Sequence, residues 1–136
     1  MDILYEQVIV KNYFVKHYQE RVIFELSNMN KRRNAFDRLC HNYNELLDNK
    51  FMEECIESNY LEIYKTLKSY GASDSCYVLS YNPLIDGKFM ELDQALKTAV
   101  GFGMPSLIVC ESNHLAYFEA EQVQGAPPRY ILRRNI

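Results

Sequence analysis

The sequence predicts a single α+β domain over residues 1–136, with a mixed, mostly antiparallel sheet of about five strands, helices packed on one face, and a helix-rich N-terminal half. Three observations carry that expectation. From Ser75 onward, short β-rich runs alternate with turn chemistry: Cys76-Tyr77-Val78-Leu79-Ser80-Tyr81, then Asn82-Pro83-Leu84-Ile85-Asp86-Gly87. Between two such runs, Leu92, Ala95, Leu96, Ala99 and Val100 fall on one face of a helix. Finally, Ser106-Leu107-Ile108-Val109-Cys110 and Leu115-Ala116-Tyr117-Phe118-Glu119 flank the turn pair Ser112-Asn113, the pattern of a two-residue hairpin.

The elements follow in order. Leu4, Val8, Phe14, Val15 and Tyr18 oppose a polar side and predict a helix from Asp2 to about His17. Arg21-Val22-Ile23-Phe24-Glu25-Leu26 alternates apolar with polar and reads as a strand. Phe36, Leu39, Cys40, Tyr43 and Leu46 or Leu47 recur at spacings of three and four and predict the next helix. A helical turn is expected over Phe51 to Glu57. A helix from about Asn59 to Ser69 buries Leu61, Tyr64 and Leu67 and stops at Gly71. Cys76 to Cys110 reads as a strand–helix–strand unit with a parallel crossover. The hairpin register sets Cys110 opposite Leu115 and Glu111 opposite His114. Tyr130-Ile131-Leu132 makes the last strand, its exposed end guarded by arginines.

Composition narrows the function classes. A chain of 136 residues with 48% hydrophobic residues can build its own core. No apolar stretch approaches the ~20 residues needed to span a bilayer. The opening Met1-Asp2-Ile3-Leu4-Tyr5-Glu6 lacks a basic region, so no secretory signal is expected. Cys40, Cys55, Cys76 and Cys110 form no Cys-x-x-Cys pair. Reduced thiols, with Cys40 and Cys110 largely buried, and a cytoplasmic location are therefore expected.

Chemistry-bearing patterns are sparse. Cys40-His41 are neighbours on a helix, about 100° apart, which disfavours a thiol–base pair. Cys110 and His114 lie on opposite hairpin arms, and the spacings of His17, Cys55 and Cys76 complete no metal set. Asp86-Gly87-Lys88 reads as a turn. Glu119 and Glu121 share one side of a strand and read as a solvated face. No catalytic residue, metal or cofactor is assigned.

The net charge is −3, unevenly spread. Lys31, Arg32, Arg33 and Arg38 gather near the start of the third predicted element, where a helix N-terminus already favours anions. They are the candidate anion- or partner-binding residues, and Lys31, Arg32 and Arg33 are expected to be exposed. Acidic residues from Glu45 to Glu62 follow them, and Arg129, Arg133 and Arg134 form a second basic group. Eleven tyrosines and these arginines suit a protein interface. The expected function is that of a non-catalytic binding protein acting through a protein partner, an immunity- or antitoxin-like inhibitor being one concrete version. The alternatives are nucleic-acid binding through Lys31 to Arg38, or an enzyme centred on Cys110, His114 or Glu119.

Overall fold

The computed structural model describes residues 1–111 and 114–134. Its sheet has six strands, all antiparallel, in the order β1-β6-β5-β4-β2-β3. The α+β class and the helix-rich first half are as the sequence predicts.

Asp2 starts α1 (Ile3–Tyr13) by accepting the Tyr5 N–H at 3.0 Å. The helix ends at Phe14, whose extended backbone forms a bridge with Leu47. Val15 N–H donates to Leu46 and Asp48 N–H donates to Tyr13, both at 2.8 Å. This patch splits the expected Asp2–His17 helix and starts α2 (Lys16–Ser27) three residues on.

The strand expected at Arg21–Leu26 is therefore the second half of α2. Val22 and Leu26 are four apart and both buried, whereas Phe24 is 53% exposed. A six-residue alternation fits a strand, but its first and last apolar positions also share a helix face, and packing on α1 and the next helix selects the helix.

Ala35, Phe36, Leu39 and Leu46 fill the inner face of α3 (Arg32–Leu46), close to expectation. The turn expected over Phe51 to Glu57 is helical only at Asn49–Phe51. Met52–Glu54 is instead β1, pairing with Leu132, Ile131 and Tyr130. Its partner lies nearly eighty residues away, so no local pattern announces it. α4 (Tyr60–Ser69) is capped by Asn59, which accepts the Glu62 N–H at 3.0 Å. Its buried pair is Ile63 and Leu67, while Leu61 is 52% exposed, so the inward face is turned from the expected one.

β2 (Ser75–Ser80) pairs on one side with β3 (Lys88–Glu91) and on the other with β4 (Ser106–Cys110). Because β2 and β4 are antiparallel, the expected crossover from Cys76 to Cys110 is corrected. α5 (Leu92–Ala99) instead joins β3 to β4 across β2. β5 (Leu115–Glu119) pairs with β4 in the expected register, which sets Val109 opposite Ala116; the turn pair Ser112-Asn113 lies outside the described residues. β6 (Arg129–Arg133) inserts between β5 and β1.

Helices cover both sheet faces, not one. Tyr77, Leu79, Leu107, Val109, Ala116, Phe118 and Leu132 pack with α1, α2 and α3. Cys76, Val78, Ile108, Cys110, Leu115, Tyr117 and Ile131 pack with α4 and α5. The physical cause is visible in β2 and β4, which bury consecutive residues as strands covered on both faces do.

Candidate functional site

The N-terminus of α3 meets the β2–β3 loop at residues 81–87. Asn82 shapes that loop by accepting the Leu84 N–H on its side chain at 3.0 Å and the Ile85 N–H on its carbonyl at 3.2 Å. Arg32, Arg33, Phe36, Ser80, Tyr81, Pro83 and Asp86 line a cleft of about 330 Å³ between the two.

Arg32 does not belong to an exposed basic cluster. It is 7% exposed, and this corrects the expectation that it is free. Nη1 and Nη2 donate to the two Glu6 carboxylate oxygens at 2.7 and 2.8 Å. Nε and Nη2 donate to Asp86 at 2.7 and 3.0 Å, and Nη1 also reaches the Leu26 carbonyl at 2.9 Å. Burial alone would disfavour the charge, but the hydrogen bonds to Glu6 and Asp86 outweigh it and raise the guanidinium above its ordinary value. Tyr77 donates its hydroxyl to Glu6, and Asp86 accepts the Ser80 N–H at 3.1 Å. One guanidinium thus ties α1, α3, the end of β2 and the β2–β3 loop together.

Arg38 is also engaged. It donates Nε and Nη2 to buried Glu25 at 3.0 Å each, and its own value is raised by that hydrogen bond against burial. Lys31 and Arg33 remain exposed as expected. Arg33 lies over the Tyr81 ring, 4.8 Å from its centroid. Tyr81 donates its hydroxyl to Asp37 at 3.1 Å. Burial and that hydrogen bond push the phenol above its ordinary value, against the lowering effect of Arg33.

The second basic group does not join the first. Arg129 and Arg133 alternate with Tyr130 and Leu132 along β6, so they point to the α4–α5 face, whereas α3 lies on the other. Arg129 donates Nε to Glu119 at 2.9 Å, Arg133 pairs with Glu53 at 3.6 Å, and Arg134 donates to Asn12 at 3.0 Å. Glu119, expected on a solvated face, is 0% exposed. It accepts the Tyr117 hydroxyl at 2.7 Å and the Gly101 N–H at 2.8 Å as well as Arg129. A carboxylate held by three donors in the core has a structural task.

Cys110 is buried with its thiol pushed up to about 12 by burial, which leaves it protonated near neutral pH. Cys40 is only half-buried and borders a second cleft with Tyr43, Glu121 and Pro128. Burial, aided by Glu121 and Asp37, pushes its thiol up to about 11. His114 is exposed. Among the described residues, no group of three or more His, Cys, Asp and Glu side chains is placed to hold a metal ion.

The sequence did not point to Tyr81, Pro83 or Asp86 as parts of the cleft. Phe36 carried the one available signal. Its spacing places it on the core face of the helix, and Arg32 sits four residues before it on the same face. Comparison with protein-family models, with curated proteins and with solved structures finds no match for this chain.

Proposed function

We propose that this protein acts by binding a segment of another protein in the cleft between α3 and the β2–β3 loop, without catalysing a reaction, and that it works in the cytoplasm. The observation that carries this reading is the lining of the cleft. An exposed guanidinium stacked on Tyr81 stands beside Phe36 and Pro83, over a floor where Arg32 is already paired with Asp86 and Glu6. Aromatic surface with one arginine at its edge is the composition of interface anchors. The neighbouring Leu84 is 73% exposed on the same loop. A partner offering an apolar side chain to Phe36 and Pro83, and a carboxylate to Arg33, satisfies both chemistries.

Nucleic-acid binding has less support. Of the four basic residues at the start of α3, Arg32 and Arg38 are neutralised by carboxylates, and Arg129 and Arg133 lie on the opposite sheet face. A phosphate backbone needs several free cations along one surface.

The test places a photo-crosslinking side chain at Leu84 and exposes the protein to cell extract. Protein adducts should form, and Arg33→Glu should lower their yield about tenfold, the effect of losing roughly 1.4 kcal/mol of anchor energy. Failure of Arg33→Glu to lower the yield would refute the cleft as the binding surface. Binding of labelled nucleic acid that persists at moderate salt and is lost in Arg33→Glu would refute the protein-binding reading.

A further inference from the structure

Cys76 and Cys110 are directly opposed on neighbouring strands, β2 and β4. The hydrogen bonds on either side identify the kind of pair they form. Glu111 N–H donates to Ser75 at 3.2 Å, and Tyr81 N–H donates to Pro105 at 3.0 Å. The odd-numbered residues of β2 therefore bond to β4, and Cys76 faces Cys110 at a non-hydrogen-bonded position. The outer side agrees, because Leu92 N–H donates to Asp74 at 2.7 Å and turns the Cys76 backbone toward β3. Such pairs hold their Cα atoms about 4.5 Å apart with side chains on the same face. A disulfide accepts Cα separations of roughly 4.4–6.8 Å. Neither cysteine is in a disulfide, and both sit in the cluster built with Ala95 and Ala99 of α5; the Cys76 thiol donates to the Met90 carbonyl at 3.4 Å and turns from β3 toward β4 to reach Cys110.

We propose that Cys76 and Cys110 form a redox modification site, a cross-strand dithiol that a hydroperoxide closes to a reversible intramolecular disulfide. Cys110 reacts first. Once local opening relieves the burial that keeps it protonated, its thiolate attacks the hydroperoxide, the O–O bond breaks, an S–O bond forms, and an alcohol leaves. The Cys76 thiolate then attacks the sulfenic sulfur, the S–S bond forms, the S–O bond breaks, and water leaves. Two thiols lose two electrons, the hydroperoxide gains them, and the two thiol protons leave in the alcohol and the water.

The order follows from the surroundings. Burial is the main force holding both thiols protonated; Lys68 opposes it at Cys110, which ends β4 beside exposed Glu111, whereas Cys110, Glu111, Glu91 and Asp93 add to it at Cys76. Both thiols are fully covered, so the reaction waits for local opening of this sheet end and is slow in the folded protein. The Cβ separation of a strand pair, about 4.5 Å or a little more, sits at the upper limit for a disulfide. The closed bond is therefore strained and returns readily to the dithiol in thiol reductants.

The test uses the C40A/C55A variant, which removes the two half-buried cysteines, with wild type in parallel. Each is treated with tert-butyl hydroperoxide, unfolded, alkylated and weighed. The variant should lose two hydrogens and both alkylation sites, and wild type should keep two of its four sites. A peptide joined through Cys76 and Cys110 should appear in both and vanish after dithiothreitol. If the variant does not fold, the joined peptide from wild type decides the matter. Full alkylation after treatment that oxidises the unfolded chain would overturn the proposal. So would a sulfinic acid on one cysteine, or a disulfide between two molecules.

Discussion

Replacement of Arg32 by methionine should be among the most damaging changes available outside the apolar core. The side chain of Arg32 is 8% exposed, that of Glu6 3% and that of Asp86 15%. Methionine fills most of the volume but leaves both carboxylates without their counter-charge. Asp86 can turn partly toward water, whereas Glu6 cannot. Breaking a buried pair from one side costs about 3–5 kcal/mol, and about 4 is expected here. Unfolding entropy of ~2.1 cal/mol/K per residue amounts to about 0.29 kcal/mol/K for this chain, so the melting temperature should fall by about 14 °C. Calorimetry or circular dichroism at neutral pH measures it directly. Adding Glu6→Gln should restore about 1–3 kcal/mol, because the two residues share one network. Lys31→Met, one position earlier but exposed, should shift stability by less than about 0.5 kcal/mol. A loss below about 1 kcal/mol for Arg32→Met would refute the assignment of Arg32 as the tie between α1, α3 and the β2–β3 loop.

Three further outcomes are expected. Arg33→Ala should cost at most about 1 kcal/mol in a thermal melt, since it removes only an exposed stack on Tyr81; a larger fall would make Arg33 structural. Gly87→Ala should cost roughly 1–2 kcal/mol in urea unfolding. Gly87 has φ +71°, and a new Cβ there would lie 2.6 Å from the Met1 side chain, so an unchanged midpoint would contradict the geometry. Alkaline titration should show stability falling above about pH 9. Cys40 and Cys55, both pushed up to about 11 mainly by burial, ionise more easily in the unfolded chain, so their contribution is complete below 9.0 and is lost as pH rises toward about 11; a flat profile from pH 8 to 11 in C76A/C110A protein would contradict those shifts.

The legible elements were those whose local pattern and tertiary role agree. α5 shows Leu92, Ala95, Leu96 and Ala99 on one face and buries all four. β4 and β5 each carry four consecutive apolar residues, Leu107 to Cys110 and Leu115 to Phe118, and occupy the middle of the sheet. The missed strands, β1 and β3, lie at its margins. β3 is only Lys88-Phe89-Met90-Glu91, charged at both ends and open on one side, as exposed edges are. Without it, the crossover through α5 was joined to the wrong strand. The candidate site failed in a different way. Arg32 and Arg33 are adjacent letters, but the step of about 100° between neighbours on a helix sends the first inward and the second to solvent. The partners that take Arg32 out of the cluster, Glu6 and Asp86, stand 26 and 54 positions away. The run of Lys31, Arg32 and Arg33 is a real feature of composition that folding divides between the buried Arg32 network and the exposed Arg33 stack on Tyr81.

The placement of β6 bears on how the chain assembles during synthesis. β1 leaves the ribosome early, yet β6 is its sheet neighbour, and β6 also borders β5. Until residues 129–133 emerge, Met52–Glu54 has no ladder to join and the outer edge of β5 stays unpaired. The bracket around Arg32 can close once Asp86 is out, so the α1–α3 side can organise while the far edge is still open. Long-range closures of this kind slow folding and lengthen the exposure of an unpaired edge. A nascent chain ending within the loop after β5, and carried clear of the ribosomal exit tunnel by an added C-terminal linker, should therefore be protected from protease around Arg32 and susceptible around Met52.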